Sequence, residues 1–287
     1  AMYTRLISLL IENLEKNIIT TKRDLYYQDV SLFQNQANVD AIIEDLCNVL
    51  GFTNQELGAV AALKGLCFGD VTLLNGNPNL DQIFTRQQGS FLIPRLNNKS
   101  KIQLSNDVQY ILVVEKDAVF NLLCDPTNSN RIIVTGKGFP DHLTKRFLSL
   151  LSITYPHLPV LGIADIDPYG LNIMKQFKSG GDKSNCFMVN KDQKFDCPRL
   201  KLVDITILDF IKKLDCLDLT IRDFTLSSKM LELDFYNDVQ QEIWRSELQR
   251  SMFFGKKAEI DVIKGSNDNL EINLTQYIAN AIDKAMK

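Results

Sequence analysis

The sequence predicts an α/β protein, α+β when all its domains are counted, with a helical first domain and a mostly parallel sheet behind it. Three observations carry that prediction. The first fifty residues place Leu, Ile and Val at helical spacing. From Val108 onward, short apolar runs at 110–114, 131–134 and 160–164 alternate with helical patterns, the signature of parallel strands covered by helices. Between these regions, 75–101 turns to Asn, Gly, Pro and Gln around the single apolar segment Phe91-Leu92-Ile93. The domains are therefore placed at 1–75 and 106–287, with 76–105 as a linker.

Residues 2–16 carry Leu6, Leu9, Leu10, Ile11 and Leu14 on a helical period. A second segment, 18–29, has Thr20 or Thr21 as N-cap, since a hydroxyl can accept from the free amides of a first turn. A third helix is expected over 37–50, stopped by Gly51. Thr53-Asn-Gln-Glu56 has the form of a capping box. Short apolar pieces from Val60 to Leu74, broken by Gly65 and Gly69, read as a small hairpin. Helices followed by a hairpin is the order of a winged helix. Helical patterns follow the strands at 119–123 and 143–151, and return near 203–213, 228–251 and 270–286.

Composition excludes several classes. The chain has 287 residues, 45% of them hydrophobic and 23% charged, with no apolar run of membrane-spanning length. The six cysteines (47, 67, 124, 186, 197 and 216) form no C-x-x-C pair and there are only two histidines, which argues against a zinc site or a disulfide framework and fits a reducing compartment. A net charge of −3 argues weakly against coating nucleic acid through global charge, and leaves room for a local basic groove. The first residues lack the basic-then-apolar pattern of a signal peptide, so none is expected, and Ala1 before Met2 reads as a leftover of cloning.

Chemistry concentrates after the strands. The run 160–164 ends on Asp165 and Asp167, and side chains two apart on an extended segment point the same way. Pro168 turns the chain and Gly170 permits a tight entry into the next helix. Glu115 ends the strand 110–114 in the same manner. Three carboxylates at one sheet edge would repel one another without a cation, and hard oxygen donors suit one Mg²⁺ ion or two, with Mn²⁺ a substitute. Taken alone, Asp-x-Asp is also an ordinary solvated turn and Glu115 an ordinary helix-start acid. Between these strands, Thr135-Gly-Lys-Gly-Phe-Pro-Asp141 sets two glycines around Lys137, a loop whose backbone can approach a phosphate, although it is not a Walker loop. Arg131, Lys137, Lys145 and Arg146 against Asp141 give this segment a local basic character that fits a nucleic-acid footprint or a solvated face. Tyr26 and Tyr27 follow Arg23 and Asp24. A phenol with a pKa of about 10 is ionised roughly one part in a thousand at neutral pH, so a nucleophilic Tyr needs a cation, base or metal nearby. Arg23 lies one helical turn before Tyr27, in reach of a phenolate or of a phosphate, while spacing alone reads both tyrosines as core or interface aromatics.

Five ordered motifs resemble one family: Thr20-Thr-Lys-Arg-Asp-Leu-Tyr-Tyr27, Ala62-Leu-Lys-Gly-Leu66, Val114-Glu-Lys-Asp-Ala-Val-Phe120, Thr135–Asp141 and Asp165-Ile-Asp-Pro-Tyr-Gly170. The chain is similar to the meiotic DNA double-strand-break transesterases, eukaryotic relatives of the topoisomerase VI A subunit. The likeness is close over 18–175 and looser to Phe253-Phe-Gly-Lys-Lys-Ala-Glu259. It implies a winged-helix domain bearing the nucleophile Tyr27, with Arg23 and Asp24 beside it. It also implies a Toprim domain holding Mg²⁺ through Glu115, Asp165 and Asp167, and places Lys64 and Phe139 against DNA. The family's N-terminal extension is expected to be absent from this chain.

The resemblance further implies cleavage of double-stranded DNA by transesterification without ATP on this chain, and a homodimer in which the tyrosine of one protomer meets the metal site of the other. Expected partners are a topoisomerase VI B-like protein and other meiotic accessory proteins, with action on chromosomes in the nucleus and no membrane. Two other classes stay open: a Toprim hydrolase using the same carboxylates with water as nucleophile, and a non-catalytic DNA-binding scaffold. A haloacid-dehalogenase-type phosphatase is excluded, because its Asp pair closes the first strand and here it follows the third.

Overall fold

The computed structural model describes the chain outside residues 17, 53, 55, 61, 98, 181–194, 212–215 and 263–269. It divides into two compact units, one of residues 1–63 and one running from Lys64 to the C-terminus.

The smaller unit holds α1 (Met2–Glu15), β1 (Thr20–Thr21), α2 (Lys22–Tyr27), α3 (Val30–Phe33), α4 (Gln36–Leu50) and β2 (Ala59–Val60). Each helix from α2 to α4 follows from its cap. Thr21 caps α2 by accepting from the Asp24 amide, and the side chains of Asp29 and Asn35 do the same for α3 and α4. Gly51 ends α4 at φ 72°, a left-handed cap. Leu6, Leu9 and Leu10 of α1 meet Leu25, Phe33, Val39 and Ile43 in one core, while Ile11 and Leu14 stay exposed. The capping box expected at Thr53–Glu56 includes residues outside the described ones.

The larger unit contains, in chain order, β3 (Leu66–Phe68), β4 (Val71–Leu74), β5 (Gln82–Phe84), β6 (Phe91–Leu92), β7 (Lys101–Leu104), β8 (Tyr110–Val114), α5 (Asp117–Leu123), β9 (Arg131–Thr135), α6 (His142–Thr154), β10 (Val160–Ile163), α7 (Pro168–Ser179), β11 (Leu200–Leu202), α8 (Ile207–Ile211), β12 (Leu217–Asp218), α9 (Ile221–Leu231), α10 (Asp234–Asn237), α11 (Glu242–Phe254), β13 (Lys256–Lys257) and α12 (Leu270–Ala285). Its main sheet has the order β11-β10-β8-β9-β3-β6. The first four are parallel, and β3 and β6 add antiparallel at one edge.

Alternate residues of β8 serve two cores. Ile111 and Val113 pack with Phe147, Leu151, Met174 and Phe177, while Leu112 and Val114 pack with Phe120, Phe210, Ile278 and Ile282. Helices therefore cover both faces, which is why the strands read as unbroken apolar runs. The mostly parallel sheet is as expected.

Three expectations are corrected. The hairpin expected over 60–74 does not form: β2 pairs in parallel with β1, β3 joins the main sheet, and β4 lies between β5 and β7 in a separate antiparallel sheet. The winged-helix expectation is left resting on the helices. Second, 64–105 is neither the tail of the first unit nor a linker. Val71, Leu73, Ile93, Leu96 and Ile102 enter the same core as Val113 and Phe147. Strands this short, apolar on one face only, look like turn chemistry in sequence. Third, the helix expected over 228–251 is broken into three pieces, where Tyr236 turns into the core with its ring 4.9 Å from that of Phe235, which in turn stands edge-on to Trp244. The expected pattern at 203–213 is helical over Ile207–Ile211, and its last residues lie outside the described ones.

Candidate functional site

Along the parallel part of the main sheet, β9 lies on one side of β8 and β10 on the other. Such a reversal of strand order opens a crevice at the carboxyl ends, where open α/β sheets bind ligands. The register pairs Val113 with Gly162 and Val114 with Ile163, so both strands end level. Glu115, Asp165 and Asp167 leave the sheet at that edge.

Glu115 is stitched to both neighbours. Its amide donates to the Ile163 carbonyl at 3.0 Å, and its own carbonyl accepts from the Gly138 amide at 3.1 Å and the Thr135 hydroxyl at 3.3 Å. Its Oε2 accepts from the Asp165 amide at 2.9 Å. Asp165 Oδ1 accepts from the Ile260 amide at 2.9 Å, and Asp167 Oδ1 caps α7 by accepting from the Gly170 amide at 2.6 Å, with Pro168 in the first helical turn. Gly170 is required by contact rather than by φ: a Cβ there would stand 2.4 Å from the Asp165 carbonyl oxygen and 2.8 Å from Glu115 Oε2.

Burial raises the Glu115 carboxyl to about 7; the Asp165 amide works against the shift, and the charges of Asp165 and Asp167 add to it. Burial also raises Asp165 and Asp167. Two lysines answer this charge. Lys116 Nζ lies 3.6 Å from Asp165 Oδ2, 3.0 Å from Glu259 and 2.9 Å from Asp261. Lys257 pairs at 2.8 Å with the buried Asp223, and its charge acts to lower Asp167.

The donor set is all carboxylate oxygen, as a hard divalent cation prefers. Among the described residues no three His, Cys, Asp or Glu side chains close into a cage. Mg²⁺ does not need one, since it keeps several waters and takes one or two carboxylates. The buried, mutually repelling carboxyls at this edge fit such an ion.

In the smaller unit, Arg23 Nε donates to the Tyr27 hydroxyl at 3.3 Å, and Tyr27 is 57% exposed. Tyr26, its neighbour, packs against the unit's core. Asp24 accepts from the Thr21 hydroxyl at 2.7 Å, which closes the first turn of α2 and orients the helix that carries Arg23 and Tyr27.

The expected DNA contacts sort into two groups. Lys137 (φ 51°) and Phe139 are exposed on the loop after β9. Lys64 lies beside that loop, its amide 3.4 Å from Asp141 Oδ2; Gly65 packs so closely on α6 that a Cβ would overlap Thr144. The other three are corrected. Arg131 is 8% exposed and donates to the Leu123 carbonyl at 2.8 Å. Lys145 is 7% exposed and donates to the Gly180 carbonyl at 2.8 Å. Arg146 is half-buried and donates to the carbonyls of Leu96 and Asn97. A count of charges along the chain cannot separate a basic side chain that tethers backbone from one that faces solvent.

The sequence pattern assigns no role to the residues of Phe253–Glu259 or to Lys116, which lies inside the Val114–Phe120 motif. Ile166 and Ala258 exchange two backbone hydrogen bonds, at 2.9 and 3.1 Å, and this bridge seats the C-terminal segment against the Asp165 turn. A contact between residues so far apart in the chain leaves no local signal.

The fold and this edge define a Toprim-type α/β domain. Residues 110–282 match the Toprim domain family of topoisomerase 6 A-type chains and Spo11, and residues 1–58 match the Type IIB DNA topoisomerase family. The chain is 32% identical over 266 residues to meiotic recombination protein rec12 of Schizosaccharomyces pombe, covering 92% of this chain and 73% of that one. It is 34% identical to the A3-type chain of DNA topoisomerase 6 from Oryza sativa, covering 90% of this chain and 58% of the relative, and 30% identical to meiotic recombination protein SPO11 of Mus musculus, covering 92% and 66%. The chain belongs to the family that joins Spo11 with the A-type chains of topoisomerase 6.

Because Glu115 titrates near 7 in the fold against an ordinary 4.5, the folded chain holds its proton more tightly than the unfolded one between those values. Its contribution is present below pH 4.5 and is lost as pH rises through 7, a change of at most about 3 kcal/mol. In metal-free buffer, denaturant titrations should show Glu115→Gln losing less stability than wild type from pH 5 to about 8. Equal losses would contradict the assignment.

Proposed function

We propose that the chain cuts double-stranded DNA by transesterification, with Tyr27 as nucleophile, and that this cutting starts meiotic recombination on chromosomes in the nucleus. The observation that supports it most is the division between the two tyrosines: Tyr27 is exposed with Arg23 3.3 Å from its hydroxyl, and Tyr26 is packed into its unit. The names of the relatives support the meiotic and topoisomerase reading.

In the proposed reaction the Tyr27 oxygen forms a bond to a backbone phosphorus while the bond from that phosphorus to the 3′ oxygen breaks. The phenol proton passes to water, the departing 3′ oxygen takes up a proton, and the 5′ phosphate stays esterified to the protein. Arg23 stabilises the phenolate or the charge building on the phosphate. Asp24 acts through its cap, fixing the helix that presents both residues. Glu115, Asp165 and Asp167 would hold Mg²⁺, or Mn²⁺ in its place, and the ion when bound supplies charge stabilisation to the phosphate. Lys64, Lys137 and Phe139 contact the DNA. The carboxylate site is taken to serve the tyrosine of the partner protomer, so a homodimer is needed for cleavage, working with a topoisomerase VI B-like protein and other accessory proteins.

With Mg²⁺ or Mn²⁺, a denaturing gel should show protein covalently attached to 5′ DNA ends, absent in Tyr27→Phe. Free ends from Tyr27→Phe would instead identify a hydrolase. Mixing Tyr27→Phe with Glu115→Ala protomers leaves one intact hybrid site per mixed dimer, so single-strand nicks are expected, and their absence would sink the shared site. On binding, Lys137→Ala should weaken DNA affinity and reduce the salt slope by about 1. Lys145→Ala should leave the slope unchanged and lower the unfolding midpoint.

A further inference from the structure

The carboxylates of the sheet edge extend beyond the three named above. Glu259 and Asp261 sit on the segment that the Ile166–Ala258 bridge holds against the Asp165 turn, and the Ile260 amide between them donates to Asp165 Oδ1. Asp165 thus belongs to two groups of carboxylates at once, one with Glu115 and Asp167, one with Glu259 and Asp261. The Lys116 ammonium stands in the second group. It donates to Asp261 at 2.9 Å and to Glu259 at 3.0 Å, both charge-assisted bonds. Its 3.6 Å to Asp165 Oδ2 is an attraction without a hydrogen bond, which leaves that oxygen able to accept elsewhere.

We propose that Lys116 is a positioning residue whose ammonium takes the place a second divalent cation would fill, clamping the Glu259–Asp261 segment onto Asp165 and limiting this edge to one cation per chain. The proposal rests on the cation site of the preceding subsection and specifies its stoichiometry. A tethered ammonium cannot be diluted away, and an incoming ion would have to expel it and leave a part-buried cation without partners, which is costly.

The test is Mn²⁺ binding to the full chain, counted by calorimetry and by the paramagnetic resonance signal of free Mn²⁺. Expected counts are one in wild type, two in Lys116→Gln, one in Lys116→Arg, and one in Lys116→Gln combined with Glu259→Gln and Asp261→Asn. One ion in Lys116→Gln, or two in wild type, overturns the proposal while leaving the first cation site standing. None in wild type and one in Lys116→Gln supports the role of Lys116 and overturns the Glu115/Asp165/Asp167 site. None in either overturns both. The clamp has its own readout, independent of whether Lys116→Gln folds. Amide hydrogen exchange at Ile260 should speed up about tenfold or more in Glu259→Gln/Asp261→Asn, since the opening that exposes it costs less. Unchanged exchange overturns the clamp.

Discussion

The hydrogen bond from the Asp165 amide to Glu115 Oε2 is the constraint on which the rest of the site depends. It joins the ends of β8 and β10 at the reversal of strand order, and it brings a carboxylate into a place where burial disfavours its charge. Everything around it relieves that cost. The backbone amides of Ile260 and Gly170 donate to the neighbouring aspartates, Gly170 supplies the room that a Cβ would take, and Lys116 and Lys257 bring positive charge from outside the sheet. A site in which carboxylates remain crowded after such relief is poised for a divalent cation.

The sheet was legible because its strands are buried on both faces, so β8, β9 and β10 appear as continuous apolar runs, and the level ends of β8 and β10 at Val114 and Ile163 put Glu115 and Asp165 at one edge. The N-terminal helices were legible from their caps, with Thr21 and Gly51 marking boundaries that the structure keeps. What sequence could not show is partnership at long range. β3 pairs with β9 on one side, Cys67 opposite Val134, and with β6 on the other, so a segment that looked like half of a hairpin became an inner strand of the larger unit's sheet. Arg131, Lys145 and Arg146 looked basic and became internal tethers, because a carbonyl that needs a donor is invisible in a list of charges.

The smaller unit shows how little separates an exposed tyrosine from a packed one. Tyr26 and Tyr27 are adjacent, with rings 5.3 Å apart, yet the helix turns one to the core and the other to solvent beside Arg23. A helix advances its side chains by about 100° per residue, so this separation is geometric and follows from where Leu25 is buried.

The central claim is that the edge formed by Glu115, Asp165 and Asp167 binds a divalent cation. Its most direct test is the thermal unfolding midpoint of metal-stripped protein at about pH 8 as Mg²⁺ is added, where the carboxyls are ionised. Binding to the folded state alone stabilises by about 2.7 kcal/mol at a hundred times the dissociation constant, a rise of a few degrees for a chain of this size. The account predicts that rise in wild type and its loss in Asp167→Asn. A midpoint that does not move with Mg²⁺, or that moves equally in both proteins, would contradict it.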